Sequence, residues 1–193
     1  MKKIFLSLLI ITLLSSCTNR QNTGNVSGCD LAVSCNEPAD MSSYEFYVEG
    51  EDYVFVRSDV RDMLKRMDDH ETFIVYFGFS RCPWCRDMMP ILNDAAKEAG
   101  YPISYIDTRE KEEWKSNIDI DDYDLLAERF KEYLQEDENG IPHLYTPFLI
   151  FIKDGEIVKT VSAPDYDAHE ERIPDNEKEA LYKELLSSFE LLK

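Results

Sequence analysis

Cys82 and Cys85 stand three positions apart, separated by Pro83 and Trp84, directly after the segment Gly78-Phe79-Ser80-Arg81. Thiolate is the reactive form of cysteine. At a helix N-terminus, unpaired backbone N–H groups and the positive end of the macrodipole stabilise it. Pro83 suits a first helical position, because proline has no N–H to leave unpaired there. Cys82 is therefore expected to be the exposed, low-pKa nucleophile, with Arg81 and Arg86 as flanking cations that favour its thiolate. Cys85, one helical turn on, is placed to close a disulfide and to resolve a mixed disulfide formed at Cys82. A stabilised thiolate stabilises the reduced pair and moves the couple in the oxidising direction. Half of a zinc site would need a second C-x-x-C or an H-x₃₋₅-H, and the chain has neither: His70, His143 and His169 are scattered. Neither a metal nor a cofactor is expected.

The elements that must position this pair are visible as hydrophobic patterns. Phe73 to Phe77 is a continuous apolar run, as in a central strand covered on both faces. Pro83 to Ala99 reads as a helix with Trp84, Met88, Met89, Leu92, Ala95, Ala96 and Ala99 available for burial, ended by Gly100. Before them, Phe46–Val48 and Tyr53–Val56 are β-prone runs around a Gly-containing turn. A short helix follows, capped by Ser58 or Asp59, with Val60, Met63, Leu64 and Met67 on one face. After them come a strand at Ile103–Ile106 and a charged stretch at 109–122. A helix at Tyr123–Leu134 should carry Leu125, Leu126, Phe130 and Leu134 inward, and a polar loop at 135–140 leads to Thr146-Pro147. Phe148–Ile152 and Ile157–Val161 are strands joined through Asp154-Gly155, a strong hairpin signal. The last helix begins near Asp175 or Asn176 with Ala180, Leu181, Leu185, Leu186 and Phe189 facing the core. The order β-α-β-α-β-α-β-β-α implies an α/β fold, a mixed sheet flanked by helices on both faces.

The chain has 193 residues, enough for one domain with a sizeable core, and a formal net charge of −18. Such an acid excess argues against nucleic acid as a partner, because phosphates would be repelled from most of the surface. Residues 1–16 read as a targeting segment: Lys2 and Lys3, an apolar stretch from Ile4 to Leu14, then Leu14-Ser15-Ser16-Cys17. The stretch is shorter than the roughly 20 residues that span a bilayer. The four final residues fit a bacterial lipobox, so Cys17 is expected to become a lipidated N-terminus anchored by two or three acyl chains. Residues 17–43 then form a tether, rich in Asn, Thr, Gly and Ser, that holds a domain at 44–193 off the membrane. With Cys17 lipidated, the four remaining cysteines fall into two pairs, consistent with an oxidising, extracytoplasmic compartment. Cys29 and Cys35 are read as a small structural disulfide, with a second redox pair as the alternative.

Beyond the C-x-x-C and its strand, Pro90 sits inside the helix, where a proline bends it, and Thr146-Pro147 precedes a strand and hairpin. In these features the chain resembles the thioredoxin superfamily over roughly residues 44–193. The stretch from Glu71 to Cys85 is most similar to thioredoxin-like lipoproteins and the accessory proteins of bacteriocin transport in Gram-positive bacteria. The resemblance implies a thioredoxin-like sheet and a substrate-binding role for two residues. Thr146 would pair its backbone with the substrate chain, and Pro147 would pack against the cysteines. Cys-Pro-Trp-Cys leans toward glutaredoxin-like or oxidase-like members. One departure is Tyr76, at a strand position where many members bury an acid that assists the second cysteine. Deprotonation of Cys85 then falls to water, a backbone group or another residue. The span from Cys85 to Pro147 also exceeds that of a minimal member, and the surplus at 109–122 and 135–145 is expected to shape a partner surface.

Among other residues, Trp84 is either a substrate contact over the disulfide or a ring packed on its own helix, and His143, near Thr146-Pro147, is read as a solvated loop histidine, with an influence on Cys82 as the alternative. Asp119, Asp121, Asp122 and Asp124 lack the central Gly and distal Glu of a calcium loop and are read as solvated surface. The expected activity is thiol–disulfide exchange, oxidase or isomerase ahead of reductase, on secreted or cell-surface protein and peptide thiols and disulfides. A membrane redox partner or an exporter would be its other contact, and the cell membrane its location. The rival is a non-catalytic adaptor of the same fold serving a peptide export system.

Overall fold

A computed structural model of the chain describes residues 37–109 and 115–193. The targeting segment, Cys17, Cys29 and Cys35 lie outside the described residues.

Strand β1 (Phe55–Arg57) leads into helix α1 (Val60–Asp68), whose first turn is capped by the Asp59 carboxylate accepting from Asp62 N–H at 2.7 Å. Strand β2 (Phe73–Gly78) is buried at every position and feeds helix α2 (Pro83–Ala99). Strand β3 (Ile103–Asp107) is followed by helix α3 (Ile120–Phe130), capped by Asp119. A hairpin of two-residue strands, β4 (Gln135–Glu136) with β5 (Pro142–His143), takes in the expected polar loop. Strands β6 (Phe148–Lys153) and β7 (Glu156–Ser162) precede helix α4 (Asp175–Glu190).

The main sheet has the order β1-β3-β2-β6-β7, parallel across β1, β3 and β2 and antiparallel from β2 through β6 to β7. Its two faces follow from strand alternation. Ile74 and Tyr76 of β2, Leu149 and Phe151 of β6, and Ile103 and Tyr105 of β3 pack with residues of α2 and α4. Phe73, Val75 and Phe77, with Ile106, Phe148, Ile150 and Ile152, pack with Val60, Met63 and Met67 of α1 and Leu126 and Phe130 of α3. A strand covered on both sides has no polar alternation, which is why β2 reads as one apolar run. This is the thioredoxin-like mixed α/β sheet with helices on both faces. The β6–β7 turn places Asp154 at φ 53° and Gly155 at φ 80°, the double left-handed geometry of a two-residue hairpin.

Several local expectations are corrected. Phe46–Val48 is not a strand, and Phe46 instead stacks edge-on against Tyr44 and Tyr53 in an aromatic cluster. The packed unit reaches back past Tyr44. Arg57 N–H donates to Glu37 O and Ala39 N–H to Phe55 O, so the 37–39 segment covers the outer edge of β1, and Met41 is core. Helix α3 starts three residues earlier than expected, because Asp119 supplies the cap, and Leu125 faces solvent beside buried Leu126. Ala180 is likewise exposed, one position before the buried stripe of Leu181, Leu185 and Phe189.

Candidate active site

The β2–α2 junction places both cysteines. Cys82 is the N-cap of α2, in extended backbone, and its Sγ accepts from Cys85 N–H at 3.2 Å. A thiol thus fills the position where Ser or Asp ordinarily satisfies the orphan donors of a helix start. From the other side, Thr146, joined to Pro147 by a cis peptide bond, approaches Cys82. The Cys82 S–H donates to Thr146 O at 3.6 Å, and the Thr146 hydroxyl donates to Sγ at 3.9 Å. Both cysteines are thiols in this structure.

Cys82 was expected to be exposed; only 4% of its surface is. Pro83, Trp84 and Thr146 line the same cleft, and Thr146 contacts the Cys82 sulfur, so a partner disulfide must enter that cleft to reach it. Cys85 is fully buried. The two thiols are electrostatically unequal. A hydrogen bond from the Cys85 thiol, with backbone N–H groups and Thr146, holds Cys82 below the usual thiol range against the opposing effect of burial. Burial, together with donation to Cys82, pushes Cys85 well above that range. The stabilisation of Cys82 therefore comes chiefly from within the pair, not from the flanking arginines. Arg86 turns away: its Nε donates to Asp87 at 3.1 Å and its Nη2 to Ala168 O at 3.3 Å. Arg81 lines the cleft.

The cleft holds about 360 Å³. Phe79, Cys82, Trp84, Tyr145 and Thr146 line it. Arg109, Ser116 and Ile118 reach it from one surplus segment, Tyr123 from α3 just beyond that segment, and His143 and Leu144 from the other. Tyr123 bridges the two segments, accepting from Leu144 N–H at 3.1 Å and donating to Pro142 O at 3.3 Å. His143 sits here beside Tyr145, with ring centroids 4.8 Å apart.

From the loop between β7 and α4, His169 lines the cleft, and this loop is fixed to α2 through Asp87. Asp87, on α2, has no exposed side-chain surface and receives four donors. Arg172 Nε at 2.6 Å and Arg86 Nε at 3.1 Å meet Oδ1, while Tyr166 Oη at 3.0 Å and Ile173 N–H at 2.9 Å meet Oδ2. Burial alone would raise this carboxyl, but these donors outweigh it and hold it below the ordinary carboxylate range. Trp84 Nε1 donates to Tyr166 O at 3.1 Å, and the His169 ring stands edge-on to the indole at 4.9 Å. Trp84 thus does not rest on its own helix alone; it joins the loop to the cleft that it lines with Cys82. A signal for Asp87 did exist. It falls three residues after Trp84 and four before Ile91, on the stripe that α2 buries.

Behind Cys85 stand three buried tyrosines, Tyr44, Tyr76 and Tyr105. Tyr44 and Tyr105 share a hydroxyl–hydroxyl hydrogen bond of 3.1 Å, Tyr105 donates to Gly78 O at 3.4 Å, and Tyr76 stacks on Tyr105 at 6.1 Å. Gly78 is required by this packing: a Cβ there would lie 2.5 Å from Tyr76 Cε1.

Asp122, expected to be solvated, is nearly buried and pairs with Arg61 at 2.6 Å, tying α3 to α1. Among the described residues no cluster of His, Cys, Asp or Glu is arranged to hold a metal ion, and no helix is long and apolar enough to cross a membrane.

No family model matches the chain, and no curated protein matches it. Solved structures similar to it include a mutant thioredoxin from Halobacterium salinarum (18% identity, 72% of this chain and 92% of that one, TM-score 0.39). A thioredoxin from Nicotiana alata is 16% identical over 74% of this chain and 98% of that one, with a TM-score of 0.40. A disulphide isomerase from Xylella fastidiosa is 15% identical over 73% and 94%, with a TM-score of 0.34. The fold is carried by the strand order and register themselves.

Proposed function

We propose that this chain is a thiol–disulfide oxidoreductase, lipid-anchored through Cys17 on the outer face of a cell membrane and acting on secreted or cell-surface proteins and peptides. The observation that carries this reading is the unequal pair: Cys82 capping a helix with its pKa lowered, and Cys85 behind it, buried and raised. The Cys82 thiolate attacks a substrate disulfide, releasing one substrate sulfur as thiolate and forming a mixed disulfide. Cys85 then attacks Cys82 Sγ, closing the enzyme disulfide and releasing the second substrate thiol, which takes up the proton Cys85 gives away. In the oxidising direction the same steps run in reverse. A pair that stabilises one thiolate favours the reduced enzyme, so oxidation or isomerisation of substrates is the proposed direction.

The test is a trapping experiment in cells. Cys85→Ala should accumulate mixed disulfides at Cys82 with extracytoplasmic proteins, and Cys82→Ser should accumulate none. Full biological activity of Cys82→Ser would instead establish a non-catalytic adaptor of peptide export. A reduction potential near about −120 mV would fit an oxidase, and one near about −270 mV a reductase.

A further inference from the structure

The Tyr76 hydroxyl is fully buried and has no hydrogen-bond partner among the described residues. Buried polar atoms are paired in the great majority of cases, and an exception calls for a physical reason. Phenylalanine would fill the same space without stranding a polar atom. The ring cannot swing aside: it stacks on Tyr105, and its edge occupies the space above Gly78. The polar group acting on this hydroxyl is the Cys85 thiol, in the same buried cluster, yet the contact falls short of hydrogen-bond geometry in the neutral pair. Neutral thiols are weak partners. A thiolate is a strong acceptor, and bonds to ionised groups are shorter and about twice as strong.

We infer that Tyr76 is a positioning residue for the exchange reaction, donating its hydroxyl hydrogen to Cys85 whenever that sulfur carries charge. This occurs twice in the cycle proposed above, on which the inference rests. Cys85 is the attacking thiolate when it resolves the mixed disulfide. It is the departing thiolate when a substrate thiolate attacks Cys82 Sγ in the enzyme disulfide. No proton leaves Tyr76 in either event. The other groups facing Cys85 cannot take this part. Cys82 competes for the same proton, the Tyr44 and Tyr105 hydroxyls are engaged with each other and with Gly78 O, and Asp107 acts on these tyrosines as a like charge. Burial keeps all three phenols protonated far above neutral pH.

The experiment uses the reduced chain carrying Cys17→Ser, Cys29→Ser and Cys35→Ser, so that Cys82 and Cys85 are its two thiols, and an aromatic disulfide, 5,5′-dithiobis(2-nitrobenzoate), in stopped flow. Attack by Cys82 releases the first equivalent of nitrothiobenzoate, and resolution by Cys85 releases the second. In Tyr76→Phe the first phase should be unchanged. The second should slow about 10- to 100-fold at fixed pH, the range for losing a hydrogen bond to a charged group, with its pH profile displaced upward. Tyr105→Phe, which loses a hydroxyl from the same cluster, should leave the second phase in place even where thermal stability changes. An unmoved second phase in Tyr76→Phe, or an equal displacement in Tyr105→Phe, would overturn the role of Tyr76. A wild-type chain releasing one equivalent or none would instead overturn the reading of the cysteine pair.

Discussion

In Asp87→Asn, the carboxylate that receives four donors becomes an amide with one accepting oxygen and one N–H₂ group. The amide oxygen can still face the guanidinium groups of Arg86 and Arg172, and the Tyr166 hydroxyl can rotate to accept. The Ile173 N–H, 2.9 Å from Oδ2, cannot; it would meet another donor. Leaving one buried donor unpaired costs about 1–3 kcal/mol. The charge lost adds less than an enclosed pair would, because the Arg172 side chain is 58% exposed and its attraction is screened. Arg86, at 23%, is screened less. Together these give a destabilisation of about 2–4 kcal/mol, which in a domain of this size lowers Tm by about 5–15 °C. The pH dependence separates this account from a generic packing defect. A carboxyl held below its unfolded value contributes stability that is fully present above about pH 4 and lost as pH falls through the folded value. Urea midpoints for wild type and Asp87→Asn should therefore differ by the full amount at about pH 7 and converge as pH falls through the folded value, with unchanged m. A gap below about 0.5 kcal/mol at neutral pH, or one that persists undiminished in acid, would refute the reasoning.

Iodoacetamide should modify Cys82 first, with a pH midpoint below the ordinary thiol value of about 8.5, and reach Cys85 only on unfolding. That midpoint should barely move between about 10 mM and 1 M salt, since adjacent hydrogen bonds rather than arginine charges hold it down; a steep rise with salt would show the reverse. Gly78→Ala should cost about 1–3 kcal/mol by forcing a methyl against the Tyr76 ring, and pairing it with Tyr76→Leu should recover most of that loss. A double-mutant cycle with no coupling would sink this account.

What the sequence disclosed was local and periodic. The apolar run of β2, the proline after Cys82 and the Asp-Gly hairpin turn each express a short-range rule, and the elements they announced are present. The edges of helical stripes were less readable. Leu125 and Ala180 are apolar and adjacent to buried residues, yet a shift of one position is 100° around a helix and turns each to solvent. What stayed hidden is long-range and polar. The partners of Asp87 at 166, 172 and 173 lie about 80 residues away, and an acid in a helix that also carries Asp94 and Glu98 reads as solvated until those partners are known. The 37–43 segment was hidden for a related reason: its backbone bonds to β1 need no side-chain pattern.

The chain is strongly acidic, with a net charge of −18, and yet the chamber behind Cys85 is walled by phenols. This division follows from the cost of burying charge. A carboxylate beside Cys85 would oppose thiolate formation by like charge unless it gave up its own ionisation, and burial already raises that thiol. A phenol offers a donor without a charge, so it can assist the thiolate without repelling it. The one buried carboxylate on α2, Asp87, is instead set where two guanidinium groups and two further donors compensate it. The result is a pair in which Cys85 keeps its proton while lending it as a hydrogen bond to the Cys82 thiolate. That shared proton stabilises the reduced state of the pair, which is the ground for the direction proposed above.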